Sequence, residues 1–410
     1  MGVPVDGASA MAADTDSLPV QRPVRWRRLV ANVGSDRLSW DAVGLWVGSR
    51  IAIVLLAVAA SYQSVAPRAQ VPPFTTLWQR WDAEHLLEVA RFGYFNPTHH
   101  YAHCCEIGFF PGQPLLVRLV HALGFGWYLS PLLVSAASGL VAVAALARLA
   151  ALEVPDRPEQ QREVGRRAVL YLVLAPYAVF LFAGYTEAPF LAFATVGWLG
   201  ARRGRWAVAG LGIAGAAFVR VTGLFLAAGL VVEYVVSRRR SGLPVLRPVG
   251  LWTLAPFISG GSYFLYLYIR TSDVLAWQRS QEGFGRGYTD PLSAFRNSYR
   301  MATAPHYQSD WSWAWKAEIA AVLVGVALTV VLLWLRRYGE AVFVGLGVAV
   351  FAVSMLYYTA GRASLLWFPL WVLLARASLR RRWLHGALLS VSAPLMAAGV
   401  VAFTRGLWVN

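Results

Sequence analysis

Residues 79–94 read Gln79-Arg80-Trp81-Asp82-Ala83-Glu84-His85-Leu86-Leu87-Glu88-Val89-Ala90-Arg91-Phe92-Gly93-Tyr94. Two carboxylates, a histidine and tryptophan crowd into the first half of this segment, just after the first long apolar run. Nearly everything else in the chain reads as membrane helix. A polar island of this kind among apolar spans marks the place to look for chemistry, and Asp82 is the candidate reacting group.

Of the 410 residues 57% are hydrophobic and only 14% charged, against about 25% charged in soluble domains. Several apolar runs reach the ~20 residues a helix needs to cross the hydrocarbon core. Strand-like alternation is absent, which argues against a transmembrane barrel. The expectation is an all-α integral membrane protein with about eleven spans. The first runs from Trp40 to Tyr62; others fall near 128–151, 168–183, 187–201, 206–219, 221–237, 249–270, 317–335, 340–360, 363–377 and 384–403. Phe110 to Leu123 reads as a further half-span or interfacial helix. Residues 1–39 read as a cytosolic, disordered basic tail, 40–403 as one transmembrane domain, and 404–410 as a short outer tail. Cys104 and Cys105 are adjacent, a spacing that suits neither a metal site nor a disulfide pair.

The net charge of +16 would suggest nucleic acid in a soluble protein. Here the basic residues lie beside apolar spans, where membrane orientation and anionic headgroups explain them. With the N-terminus in the cytosol, the runs Arg202-Arg203-Gly204-Arg205, Arg238-Arg239-Arg240 and Arg380-Arg381-Arg382 all fall inside. The segments 63–125 and 271–316 then lie outside and form the active-site face. No nucleotide is available there, so a transferase on that side needs a sugar donor carried by a lipid.

Asp82 and Glu84 stand at i and i+2, a spacing that does not bring side chains together on a helix. One of them therefore points into a cleft. A general base must take the proton of an acceptor hydroxyl, and Asp82, flanked by Trp78 and Trp81, suits that role. The plainer reading makes Asp82, Glu84 and Glu88 the solvated face of an interfacial helix. Asp82, Glu84 and His85 are also a conceivable metal set, as are His99, His100 and His103, though loop histidines are more often simply exposed.

Ionisable groups close to hydrocarbon are costly and are functional or paired. Glu187 and Arg220 invite both readings: a mutual ion pair, or Arg220 as a fork for a lipid phosphate. Arg362 is a second phosphate candidate. In the Gly-rich segment around Gly283, Gly285 and Gly287, Gln281 and Arg286 are placed for sugar hydroxyls or phosphate, or belong to an ordinary surface loop. Arg50, midway along the first span, either snorkels inward or pairs within the bundle.

Taken in order, these pieces resemble the PIG-V, GPI mannosyltransferase 2 type family within the GT-C superfamily of multispan glycosyltransferases. The resemblance is carried by Arg80-Trp81-Asp82-Ala83-Glu84-His85, Ala90-Arg91-Phe92-Gly93-Tyr94, Phe109-Phe110-Pro111-Gly112-Gln113-Pro114-Leu115, Tyr185-Thr186-Glu187-Ala188-Pro189-Phe190 and Arg220-Val221-Thr222-Gly223-Leu224. Gln281 with Gly285-Arg286, and Gly361-Arg362 followed by Phe368-Pro369-Leu370, continue it. The sequence departs from the family pattern at Thr186, Val221-Thr222 and Phe284. The resemblance implies a GT-C-type multispan helical bundle with interfacial helices in the first outer loop. It implies an inverting mannosyltransferase using polyprenyl-phosphate-mannose, with a lipid or glycan as acceptor. Asp82 would be the base, with Glu84 and His85 beside it; Arg220, Glu187, Gln281, Arg286 and Arg362 would bind the donor phosphate and sugar. No cofactor is required by this scheme, although a divalent metal is compatible with it. A GT-C enzyme for another polyprenyl-phosphate sugar (arabinose or glucose) is the nearest alternative. A lipid-linked sugar transporter or non-catalytic assembly subunit is the other. The Ala/Arg/Val/Gly-rich composition points to a bacterial plasma membrane protein.

Overall fold

The computed structural model describes residues 37–62, 73–95, 106–304 and 309–409. Residues 1–36 of the basic tail, Cys104, Cys105, His99, His100 and His103 lie outside the described residues, so the expectations placed on them stay there; Arg37, Leu38 and Ser39, expected in the disordered tail, instead begin the first helix.

Among the described residues the chain is all helix, with one isolated bridge between Tyr288 and Ser354. The helices are α1 Arg37–Tyr62, α2 Asp82–Phe92, α3 Gly112–Ala122, α4 Ser130–Ala151, α5 Pro158–Val173, α6 Glu187–Arg202, α7 Trp206–Val219 and α8 Thr222–Arg240. They continue as α9 Ala255–Thr271, α10 Ala276–Glu282, α11 Pro291–Thr303, α12 Ser309–Trp334, α13 Tyr338–Ala352, α14 Ala360–Ala363, α15 Phe368–Arg380 and α16 Arg382–Thr404. Parts of α1, α4, α12 and α16 are long and apolar enough to cross a membrane, and α7 and α13 are shorter apolar helices. The chain is thus a multi-pass membrane protein; length and composition alone do not reach eleven spans.

Two expected spans end early for local reasons. The helix of 168–183 stops at Val173, because Pro176 lacks an N–H and disfavours helical geometry in the residue before it. The chain continues as a 3-10 turn at Ala178–Leu181. Helix α13 ends at Ala352, seven residues before Thr359, which adopts a left-handed backbone at φ 67°.

Packing centres on α6, which lies against α4 and α7, while α8 packs on α13. Small residues set the α6–α7 spacing: a Cβ added to Gly212 would stand 2.6 Å from the Gly197 Cα. Close backbone approach of this kind lets membrane helices associate through van der Waals contact, since lipid tails supply no hydrophobic drive between them. Trp198 on α6 and Trp78 are fully buried in the resulting core. Arg50 stays inside the bundle. Its guanidinium lies 4.1 Å from the Trp46 ring centroid and bonds the Ser49 hydroxyl at 3.3 Å.

Candidate active site

Helix α2 begins at Asp82 itself, so the carboxylate sits at a helix N-terminus, where the helix dipole favours negative charge. Its apolar face, Ala83, Leu86, Leu87, Val89 and Ala90, is buried. Asp82 and Leu86, one turn apart, line a cavity of about 410 Å³, within the roughly 300–1,000 Å³ usual for small-molecule sites. Glu84 points away and is exposed. The i, i+2 spacing therefore separates the two carboxylates as expected, and Asp82 is the one turned inward.

The residue before Asp82 is held in an unusual backbone. Trp81 has φ 46° and ψ −118° with no side-chain cap on the helix. For a non-glycine residue this region costs on the order of 1–3 kcal/mol and persists only where the surroundings enforce it. Trp81 packs edge-on against Phe403 at 5.4 Å, and the Arg80 carbonyl accepts a hydrogen bond from the Tyr185 hydroxyl at 2.7 Å.

Around Asp82 the structure gathers residues from five distant stretches. Arg362 Nη2 donates to Asp82 Oδ2 at 2.6 Å, and Arg362 Nε stands 3.1 Å from Glu187 Oε1. Arg220 pairs with the same Glu187 oxygen and donates to the Thr186 hydroxyl at 2.6 Å. Glu187 is fully buried, and its second oxygen has no hydrogen-bond partner among the described residues. Both readings of Glu187 and Arg220 thus meet in one place: they form an ion pair, and Arg220 also lines the cavity.

Arg286 differs from the other two arginines. Its guanidinium bonds the Gln281 amide oxygen at 3.1 Å and the Thr359 hydroxyl at 3.4 Å, with no carboxylate in ion-pair distance among the described residues. Gln281 is in turn tied to the Gly108 carbonyl at 3.3 Å, as is Trp277 at 3.1 Å. These bonds fasten α10 to the turn that precedes α3.

Arg362 and Arg220 are paired with Asp82 and Glu187, while Arg286 has only neutral hydrogen-bond partners among the described residues. Burial alone would push the Asp82 carboxyl up. The guanidinium of Arg362, followed by those of Arg286 and Arg220, outweighs burial and holds the group below its usual range. Asp82 is thus an ionised, clamped carboxylate in the unliganded protein.

His85 stands behind the cavity wall. Its Nδ1 lies 3.2 Å from Glu106 Oε1, and its ring stacks on Phe109 at 5.6 Å and meets Phe284 edge-on at 5.8 Å. Phe109 and Phe284 line the cavity, so His85 supports them from the rear. Asp82, Glu84 and His85 do not converge on a shared point as metal ligands. Two contributors went unread in the sequence. Glu318, fully buried near the head of α12, accepts N–H bonds from Thr359 at 3.2 Å and Gly361 at 2.8 Å and so fixes the turn that carries Arg362. A carboxylate at the head of an apolar run is expensive, and that signal was available. Glu106, the partner of His85, had none.

Fold and site together define a multi-pass helical membrane protein with an arginine-ringed cavity around one aspartate. Residues 61–248 match the family described as Mannosyltransferase (PIG-V), so this stretch carries the family signature that the motifs resemble. The chain is 37% identical over 182 residues to GPI alpha-1,6-mannosyltransferase 2 of Rattus norvegicus, covering 42% of this chain and 34% of that protein. The Mus musculus protein of the same name is also 37% identical, over 181 residues, 41% of this chain and 34% of its own. The match thus spans about a third of the length of these curated relatives. Among solved structures, ArnT from Cupriavidus metallidurans bound to undecaprenyl phosphate aligns at a TM-score of 0.43 and 18% identity. That alignment covers 87% of this chain and 64% of ArnT. Asp82, Glu187 and Arg220 fall inside the matched family stretch; Gln281, Arg286 and Arg362 lie beyond it and reach the same cavity.

Proposed function

We propose that this protein is an inverting mannosyltransferase that moves mannose from a polyprenyl-phosphate donor to a hydroxyl of a lipid or glycan, on the extracytoplasmic side. One observation carries the reading: a carboxylate and three arginines, one of them outside any ion pair among the described residues, share a cavity with an apolar wall. That wall comes from Phe343, Gly347 and Phe351 on α13 with Leu366 and Trp367. A donor phosphodiester carries one negative charge and an isoprenoid chain, which fits both halves of the cavity.

In the reaction, Asp82 takes the proton of the acceptor hydroxyl as its oxygen attacks the anomeric carbon. The bond from that carbon to the phosphate oxygen breaks on the opposite face, and polyprenyl phosphate leaves with a second negative charge. Arg220, Arg286 and Arg362 offset that developing charge, an electrostatic contribution that is preorganised before reaction. Arg286, outside any ion pair among the described residues, is the first anchor for the phosphate. Anion binding also draws Arg362 away from Asp82 and strengthens the base. The PIG-V match of residues 61–248 and the mannosyltransferase relatives support mannose as the sugar, and the arginine-rich turns at the opposite helix ends support the outward placement.

The test is Asp82→Asn in membranes supplied with labelled polyprenyl-phosphate-mannose. Loss of a general base lowers turnover by about 10²–10⁴-fold, whereas Glu84→Gln, outside the cavity, keeps near wild-type turnover. Turnover close to wild type in Asp82→Asn eliminates the assignment.

A further inference from the structure

Tyr185 lies outside the cavity lining, yet it touches both the turn into α2 and Arg362. Its side chain is fully buried. The hydroxyl donates to the Arg80 carbonyl at 2.7 Å, and that same carbonyl takes the Ala83 N–H at 3.0 Å, closing the turn into α2. Trp81, held at φ 46°, lies between these two bonds. The Tyr185 ring lies 5.2 Å from the Arg362 guanidinium and meets Phe180 edge-on at 4.9 Å, while Phe180 is itself 5.3 Å from Arg362. Two residues further on, Glu187 holds the other side of that guanidinium.

We infer that Tyr185 is a positioning residue: its hydroxyl pins the strained Trp81 turn while its ring backs Arg362, so that one side chain sets the register of Asp82 against its arginine. A left-handed non-glycine residue relaxes unless its neighbours over-determine it. A phenylalanine would fill the same space, but only a tyrosine can also bond the Arg80 carbonyl, and a buried Tyr hydroxyl needs such a partner. Asp82 is the residue immediately after the strained one, so slack in the turn moves its carboxylate directly. The inference rests on the reading of Asp82 as base, because only then does its placement control rate.

The variant that isolates the hydroxyl is Tyr185→Phe, which keeps the ring under Arg362. With polyprenyl-phosphate-mannose as donor, kcat is expected to fall roughly tenfold or more. The donor KM should change by less than about twofold. Tyr171→Phe removes a comparable hydroxyl, bonded to His385 at 2.8 Å, and should leave kcat unchanged.

A second readout needs no turnover. In the full chain carrying Cys104→Ser, Cys105→Ser and Asp82→Cys, a charged methanethiosulfonate reports the exposure of position 82. Adding Tyr185→Phe should change the modification rate several-fold. An unchanged rate overturns the inference, whatever happens to kcat, since the hydroxyl then does not set where residue 82 stands. A changed rate, alongside a parent chain that transfers no mannose, upholds the positioning role and instead removes the mannosyltransferase reading.

Discussion

Helix α6 begins at Glu187 and ends at Arg202, and each end belongs to a cluster of arginines and carboxylates. The two clusters use the same chemistry for different ends. At the Arg202 end, Arg337 Nη1 reaches Glu153 at 3.0 Å and its Nη2 donates to Glu340 at 2.7 Å. Arg376 pairs with Glu153 at 3.2 Å, and the Trp198 indole N–H donates to Glu340 at 2.8 Å. Glu233 faces Arg202, Arg337 and Arg240 as well. None of these residues lines the Asp82 cavity. At the Glu187 end, Arg220 and Arg362 meet Asp82 and Glu187 beside a cavity, and Arg286 has only neutral hydrogen-bond partners among the described residues. A cluster with no open space beside it closes a helix bundle; one that lines a cavity, with an arginine outside its ion pairs, is built to take an anion.

That contrast can be broken from either side. The largest effect on stability belongs to the Arg202 end. Arg337→Ala leaves Glu153 and Glu340 buried without their main partner, a loss of about 3–5 kcal/mol. It should appear as a lower melting temperature in detergent, with kcat of the surviving protein unchanged. A drop in kcat without a drop in melting temperature would mean that the two ends are not separate. At the site end the pattern reverses. Arg286→Ala breaks no ion pair and should leave melting unchanged, while the donor KM rises by about ten- to a hundredfold, the weight of a hydrogen bond to a charged group. Equal melting losses in the two variants would erase the comparison.

The smallest effect is one of pH. Asp82 is held low by Arg362, Arg286 and Arg220 against its burial. Its carboxylate therefore stays ionised, and the acid limb of the kcat/KM profile should fall below the ordinary aspartate value of about 4. Removing the nearest guanidinium in Arg362→Gln leaves burial in place and should move that limb upward. The same sign holds for stability: a depressed carboxyl contributes above its unfolded value, and the contribution is lost as pH falls through the folded one. A limb that stays put in Arg362→Gln would show that another group titrates.

The sequence placed several members of this site by simple rules. The i, i+2 spacing of Asp82 and Glu84 required that they diverge, and they do. The cost of charge near hydrocarbon marked Glu187 and Arg220, and the helices that carry them begin or end within a few residues of the expected limits. What escaped was contact. Nothing local says that Glu106 pairs with His85, or that Glu318 ties down the turn before Arg362, because those partners are separated by 21 and 43 residues. The helix end at Val173 also escaped, since hydropathy runs smoothly through a proline that breaks the helix beneath it, and so did the end at Ala352.

By itself, the sequence determined that this chain is helical and membrane-embedded, because apolar run length and charge content answer directly to the thickness and low polarity of a bilayer. It also singled out Asp82, Glu187, Arg220, Arg286 and Arg362 as groups needing an explanation. Only the tertiary structure decided that Asp82, Arg220, Arg286 and Arg362 line one cavity, with Glu187 paired to two of these arginines, and that Glu84 stands outside it. Composition fixes how many charges a chain carries. Which of them neutralise one another depends on distances of about 3 Å between helices remote in sequence, and those distances exist only once the helices have packed.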